Sequence, residues 1–170
     1  HLKRFVVMRD KAYFSGPVGD NYGIANGIPQ RPGDLGTQDR IEKVVPAIFG
    51  LEVAPVIIGG DHSISYPTIK SLINITDGKV GVIMIDGHLD VRHSHHGEVS
   101  SGTPFRRIME EPDNPVRPKN LVEIGINGWL NSRYYMDYCR EQGVTVIPAR
   151  EVHRRSIDDV IAQALELAAN

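Results

Sequence analysis

From residue 54 onward, apolar residues fall into short runs that alternate with amphipathic stretches. Residues 54–58 form a short apolar run closed by Gly59-Gly60, which predicts a buried strand. Residues 65–73 predict a helix with Pro67 in its first turn. Residues 80–85 predict a second buried strand, and 104–111 a helix. Residues 121–126 predict a third strand, stopped by Gly128. Residues 131–142 predict a helix ended by Gly143, and 144–147 a fourth strand. The last helix, 156–169, opens with Ser156 as N-cap and Asp159 three residues on. Strands alternating with helices imply parallel strands joined by right-handed crossovers. The fold class is therefore α/β, with helices on both faces of a parallel sheet.

The first third follows a different pattern. Residues 5–8 predict a short strand, and residues 15–36 are rich in glycine and proline and read as a long loop. A loop of that length is usually functional or disordered. Thr37 or Asp39 is expected to cap a helix running to about Phe49. The chain thus reads as a single domain, 1–170, with a loop-rich part over 1–36 and a regular βα part over 37–170.

Composition narrows the class of protein. The 170 residues suffice for one buried core. With 41% hydrophobic and 24% charged residues and a mildly negative mean hydropathy, the chain is ordinary globular material. The net charge is −2 and no like-charge block stands out, which argues against a nucleic-acid or anionic-membrane partner. Cys139 is the single cysteine, so no disulfide forms within the chain and a reducing, cytoplasmic location is expected. The apolar runs are too short to span a bilayer, and the start carries no signal-peptide pattern. The chain begins at His1 and ends in a helical pattern, so both ends read as cuts in a longer protein.

The residues with chemistry follow the strands. Ligands of open parallel sheets bind beyond the carboxyl ends of the strands. Gly59-Gly60-Asp61-His62-Ser63 follows the first core strand, and Asp86-Gly87-His88-Leu89-Asp90 the second, so both clusters fall on one rim. In an extended segment Asp86, His88 and Asp90 would face the same way. Two carboxylates and an imidazole make a mixed O/N donor set suited to Mn, Fe, Co or Zn. His62 would add a nitrogen, and Asp86 is placed to bridge a second metal. Two metals about 3.5 Å apart generate hydroxide at neutral pH and polarise a substrate. A lone Asp-x-His-x-Asp is as often a solvated loop as a site; its partner cluster favours the site. Asp61 is the weaker ligand candidate and is expected to brace the loop or an imidazole.

These two clusters resemble the first two signature motifs of the ureohydrolases, which comprise arginases, agmatinases, guanidino-acid hydrolases and formimidoylglutamases. The resemblance covers roughly residues 54–170. It implies a three-layer α/β/α arginase-like fold, here incomplete, and two Mn2+ ions bridged by hydroxide. By motif position, His62, Asp86 and Asp90 match ligands of one ion. Asp86 and His88 match ligands of the other. Asp90 would also orient the hydroxide, which makes it the candidate catalytic residue. Asp90-Val91-Arg92, residues 100–106 (Ser-Ser-Gly-Thr-Pro-Phe-Arg), 122–127 and 142–146 are most similar to formimidoylglutamases. That subgroup hydrolyses N-formimidoyl-L-glutamate to L-glutamate and formamide in histidine breakdown. Ser101 stands where arginases and agmatinases usually carry a histidine, which argues against a guanidino substrate.

The resemblance also frames the substrate candidates. Arg92 suits a substrate carboxylate, which a guanidinium binds through two parallel hydrogen bonds; a surface ion pair is an equally good reading. Ser101 and Asn127 could reach the pocket. Trp129 is more simply a packing residue. His93, His95 and His96 could supply a proton to the leaving nitrogen, but each alone reads as loop. The family's third motif, Ser-x-Asp-x-Asp, is absent, so four of six ligands are present. The alternative functions are release of urea from agmatine or a guanidino acid, and a non-catalytic metal-binding domain. The resemblance further implies a small amidine substrate and a homo-oligomeric full-length protein.

Overall fold

The computed structural model describes residues 8–10, 35–49, 56–59, 61–76, 80–94, 99–113 and 115–169. Their strands are all parallel and fall into two groups. In the first, β1 (Met8–Asp10) pairs with β2 (Ile57–Gly59). In the second, β3 (Val82–Ile85), β4 (Leu121–Ile126) and β5 (Thr145–Pro148) lie in that order.

Strand β4 is central, and its sequence shows why. Apart from Glu123 and Gly125 it is apolar, as a strand covered on both faces requires. Val122 and Ile124 pack with Ile147 of β5 against Val160 and Ala164 of α6 (Ile157–Ala168). Leu121 and Ile126 join the opposite core. That core holds Ile69 and Ile73 of α2 (Ser65–Ile75), Phe105 and Ile108 of α3 (Pro104–Met109), and Cys139 of α4 (Arg133–Gln142). Ile124 and Ile126 are two apart yet face opposite cores. A register irregularity between them, centred on Gly125 at φ +92°, reverses the alternation. Helices thus cover both faces of this sheet, as the alternating pattern predicts.

Helix ends follow local chemistry. Ser132 caps α4 and Gly143 closes it in the left-handed conformation. Ser156 caps α6 by accepting from the Asp158 amide. α1 (Leu35–Phe49) buries Val45 and Phe49 and packs on α2.

Several expectations shift. α1 begins at Leu35, so Gly36 and Thr37 are helical rather than loop and cap; residues 15–34 lie outside the described residues. The first strand starts at Met8, and residues 5–7 also lie outside them. α4 starts at Arg133 because Ser132, not Asn131, takes the capping role. Short turns of 3-10 helix at His62–Ile64 and Pro118–Asn120, and α5 (Ala149–Val152), carry too little periodicity to be foreseen.

The largest correction concerns burial. Strands at 54–58 and 80–85 are predicted to be buried, but Val56, Ile58 and Ile85 are 69%, 61% and 80% exposed. A parallel strand is buried only where neighbouring strands and helices cover it. Among the described residues, β2 has β1 as its one partner and β3 has β4. No described helix is long and apolar enough to cross a membrane.

Candidate metal centre

The site is assembled from two loops, one from each strand group. After β2 the chain enters a turn of 3-10 helix at His62–Ile64. Asp61 caps that turn, its Oδ1 accepting from the Ser63 amide at 2.7 Å. Asp61 therefore braces the loop, and His62 is the residue presented. The His62 ring stands edge-on to Phe105, with centroids 5.3 Å apart. Its Nδ1 lies 2.5 Å from Asp90 Oδ2 and 3.8 Å from Asp86 Oδ2.

The second loop leaves β3 at Asp86, whose amide donates to the Ile124 carbonyl at 3.0 Å. The Asp86 backbone passes directly over Gly125. A Cβ there would sit 3.2 Å from the Asp86 oxygen, so glycine lets the loop lie flat on β4. Asp86 Oδ1 accepts from the His88 amide at 3.0 Å and lies 3.3 Å from His88 Nδ1.

The loop is not the extended segment the spacing suggests. Residues 86–88 bend, and Asp90 has φ +48°, the one non-glycine positive φ among the described residues. Such a backbone costs on the order of 1–3 kcal/mol and persists only where its surroundings enforce it. Here they do so from several sides. Leu89 and Val91 are each 1% exposed and anchor the segment in the core. The Asp90 carbonyl accepts from the Phe105 amide at the start of α3. Asn131 is the main clamp. Its Oδ1 accepts from the Leu89 amide at 2.9 Å, and its Nδ2 donates to the carbonyls of Gly87 at 2.8 Å and Asn127 at 2.7 Å.

The structure thereby brings His62, Asp86 and Asp90 together, with donor atoms within 4.8 Å of one another. His88 falls outside that group; its side chain is half exposed and touches it through Asp86. Behind the group, in the middle of β4, lies Glu123 at 0% exposure, with no hydrogen-bond partner for either carboxylate oxygen among the described residues. Burial pushes its carboxyl well above the usual range, and the charges of Asp90 and Asp86 push it further the same way. One imidazole and two partly buried carboxylates, set before a buried acid, form a donor set that fits a divalent cation of the oxygen- and nitrogen-preferring kind.

A cavity of about 300 Å³ adjoins the group, lined by His88, Asp90, Arg92, Leu130, Asn131 and Tyr135 among others. Of the three substrate candidates, Arg92 alone lines it. Ser101 is exposed on the turn before α3. Asn127 holds the turn after β4, its Oδ1 accepting from the Trp129 amide. Asn131, Leu130 and Tyr135 were not foreseen, because 131–142 reads as a helix. The available signal was Trp129-Leu130 directly after a strand end. Trp129 is 97% exposed and is not a packing residue. His93 Nε2 lies 2.7 Å from the Tyr134 hydroxyl, which ties the loop to α4; His95 and His96 lie outside the described residues. Cys139 is fully buried, and burial pushes its thiol up, out of reach of nucleophilic chemistry.

Comparison with known proteins identifies the family of the chain. The arginase family model matches residues 19–170. The formimidoylglutamase of Halalkalibacterium halodurans is 35% identical over 133 residues, 77% of this chain and 41% of that protein. The guanidinobutyrase of Pseudomonas aeruginosa is 32% identical over 127 residues, 74% of this chain and 39% of that protein. The crystal structure of Trypanosoma cruzi formiminoglutamase with Mn2+ superposes with a TM-score of 0.72 at 28% identity, covering 80% of this chain and 46% of that one. The chain thus spans less than half the length of these relatives. The chain belongs to the arginase family.

Proposed function

We propose that this arginase-family chain carries half of a binuclear manganese site, and that the whole enzyme hydrolyses N-formimidoyl-L-glutamate to L-glutamate and formamide. The convergence of His62, Asp86 and Asp90 beside a cavity containing Arg92 carries the reading. The formimidoylglutamase relatives and the Mn2+-containing neighbour support it. His62, Asp86 and Asp90 would hold one ion, and Asp86 and His88 the other. Bound there, manganese supplies Lewis acidity and an acidified water at neutral pH.

The chain's own residues then have distinct tasks. Asp90 uses one carboxylate oxygen as ligand and the other to orient the attacking water toward the amidine carbon. Arg92 receives a substrate carboxylate from the cavity wall. Water adds its oxygen to the amidine carbon, the C–N bond to the glutamate nitrogen breaks, and that nitrogen leaves with a proton as an amine. His93, on the loop that carries Asp90 and Arg92 and hydrogen-bonded to Tyr134 of α4, is a candidate source of that proton. Ser101 and Asn127 keep a smaller part, shaping the turns that border the cavity. A place in histidine breakdown and in the cytoplasm accords with this substrate and with the single buried cysteine.

Guanidino substrates are the second reading, favoured by relatives named guanidinobutyrase and agmatinase at 32% and 34% identity. The full-length protein, assayed with manganese against N-formimidoyl-glutamate, agmatine, arginine and guanidinobutyrate, separates the two. Formamide release from the first substrate alone is expected. Urea release with no turnover of N-formimidoyl-glutamate overturns the substrate assignment. Metal retention without turnover of any of them leaves the non-catalytic domain.

A further inference from the structure

The turn before α3 carries a glycine whose backbone does not require one. Among the described residues, positive φ glycines are Gly125 and Gly143; Gly102 is not among them. Gly102 is nevertheless buried, and the space a side chain would fill belongs to Arg92. A Cβ at Gly102 would sit 2.8 Å from Arg92 Cδ and 3.0 Å from its Nε. Both distances are shorter than ordinary van der Waals contact.

The same turn also holds the Arg92 backbone. The Arg92 amide donates to the Gly102 carbonyl at 2.8 Å. Thr103 locks the turn, its Oγ1 donating to the Ser100 carbonyl at 2.8 Å and accepting from the Ser100 amide at 3.1 Å. Two residues on, the Phe105 amide ties the chain to the Asp90 carbonyl. Position 92 is thus fixed at its backbone by the turn and at its stem by the missing side chain of Gly102. Beyond this glycine saddle, Arg92 lines the cavity next to Asp90.

We propose that Gly102 is a positioning residue: the bare surface at Gly102, set by the Ser100–Thr103 lock, lays the Arg92 stem down and aims its guanidinium into the cavity beside the metal group. The inference rests on the reading of Arg92 as a carboxylate anchor, and it adds that specificity for an acidic amidine depends on a glycine that touches no substrate. A guanidinium gives its two parallel hydrogen bonds only in the right plane, so tilting the stem removes them without removing the charge.

The test is a double-mutant cycle in the manganese-loaded full-length enzyme. Arg92→Ala and Gly102→Ala should each raise KM for N-formimidoyl-glutamate about tenfold to a hundredfold, the loss of one charged hydrogen-bonded contact. The two together should do no more than Arg92→Ala alone. For an N-formimidoyl-alkylamine lacking the carboxylate, KM should be the same in Gly102→Ala and wild type; a general loss of fold would move both substrates. An unchanged KM in Gly102→Ala, or effects that multiply in the double variant, overturns the inference. An unchanged KM in Arg92→Ala instead defeats the anchor reading. The saddle is then judged from a crystal structure of Gly102→Ala, where an Arg92 side chain in its original place overturns it and a displaced one upholds it. Should Gly102→Ala fail to fold, recovery of folding in R92A/G102A upholds the inference, and failure of both overturns it.

Discussion

The two strand groups contribute to one site on different terms. The central strand of the β3–β4–β5 sheet is covered on both faces and almost entirely buried, although Ile85 at the end of β3 is exposed. This sheet delivers Asp86 and Asp90 through a loop clamped by Asn131, Leu89, Val91 and the start of α3. The β1–β2 pair exposes Ile58, with Val56 exposed just before it, and delivers His62 through a turn braced by Asp61. The difference teaches where rigidity is needed. The loop that carries two carboxylates side by side, one on a left-handed backbone, requires a frame to oppose their repulsion and strain. A single imidazole on a capped turn does not.

The comparison is tested most severely at Asp86, the residue that both His62 and His88 approach. Asp86→Ala is expected to abolish manganese retention through gel filtration and to lower turnover by at least about a thousandfold, several kcal/mol of lost Lewis-acid stabilisation. His62→Ala, on the less supported side, should weaken manganese binding and leave Asp86 and Asp90 in place; titration calorimetry checks the affinity and a crystal structure the loop. If His62→Ala also disorders the Asp86–Asp90 loop, the two regions are not separately supported.

The clamp itself is next in size. Asn131→Ala removes two hydrogen bonds to the second loop and one to the turn after β4. It should cost about 1–3 kcal/mol in chemical denaturation and about 10–100-fold in metal affinity, the usual effect of losing support behind a ligand. An effect on stability without one on metal would separate the frame from the site.

Glu123 sharpens the comparison through pH. Its carboxyl is raised in the folded state, so the native protein holds a proton that the unfolded chain releases. Stability from this group is complete below the ordinary glutamate pKa and is lost as pH rises toward the folded one. Glu123→Gln should therefore flatten the fall in melting temperature of the metal-free protein between pH 5 and pH 8. At pH 8 it should raise the melting temperature by about 2–4 °C, the equivalent of about 1 kcal/mol. A steeper fall in the variant would contradict a raised Glu123 carboxyl. The smallest effect belongs to Trp129, 97% exposed: Trp129→Ala should alter stability by less than about 0.5 kcal/mol in urea denaturation.

Much of this was readable before folding. The four strands and the helices between them follow from apolar runs and capping residues, Ser156 and Gly143 among them. The two Asp-His clusters announce themselves by lying directly after strands. Less readable were the limits of burial and the contacts of the loops. Val56, Ile58 and Ile85 are apolar enough for a core, but apolarity does not say whether a neighbour covers it. Ser101 and Asn127 were chosen by their place in the chain, whereas the cavity wall is made by Leu130, Asn131 and Tyr135, which come near only when α4 packs under the second loop.

By itself, the sequence determined the α/β class and the strand ends at Ile85 and Ile126, and it marked His62, Asp86, His88, Asp90 and Arg92 as candidates, because periodicity and residue chemistry are local properties of the chain. Tertiary structure decided which of them meet. Asp86 and Asp90 converge with His62 through a bend and a left-handed residue rather than through strand alternation, and His88 stands aside. Gly102 has a reason only once Arg92 lies over it. Those outcomes depend on contacts between residues far apart in sequence, on clearances of a few tenths of an ångström and on hydrogen bonds closed across loops, none of which a residue carries alone.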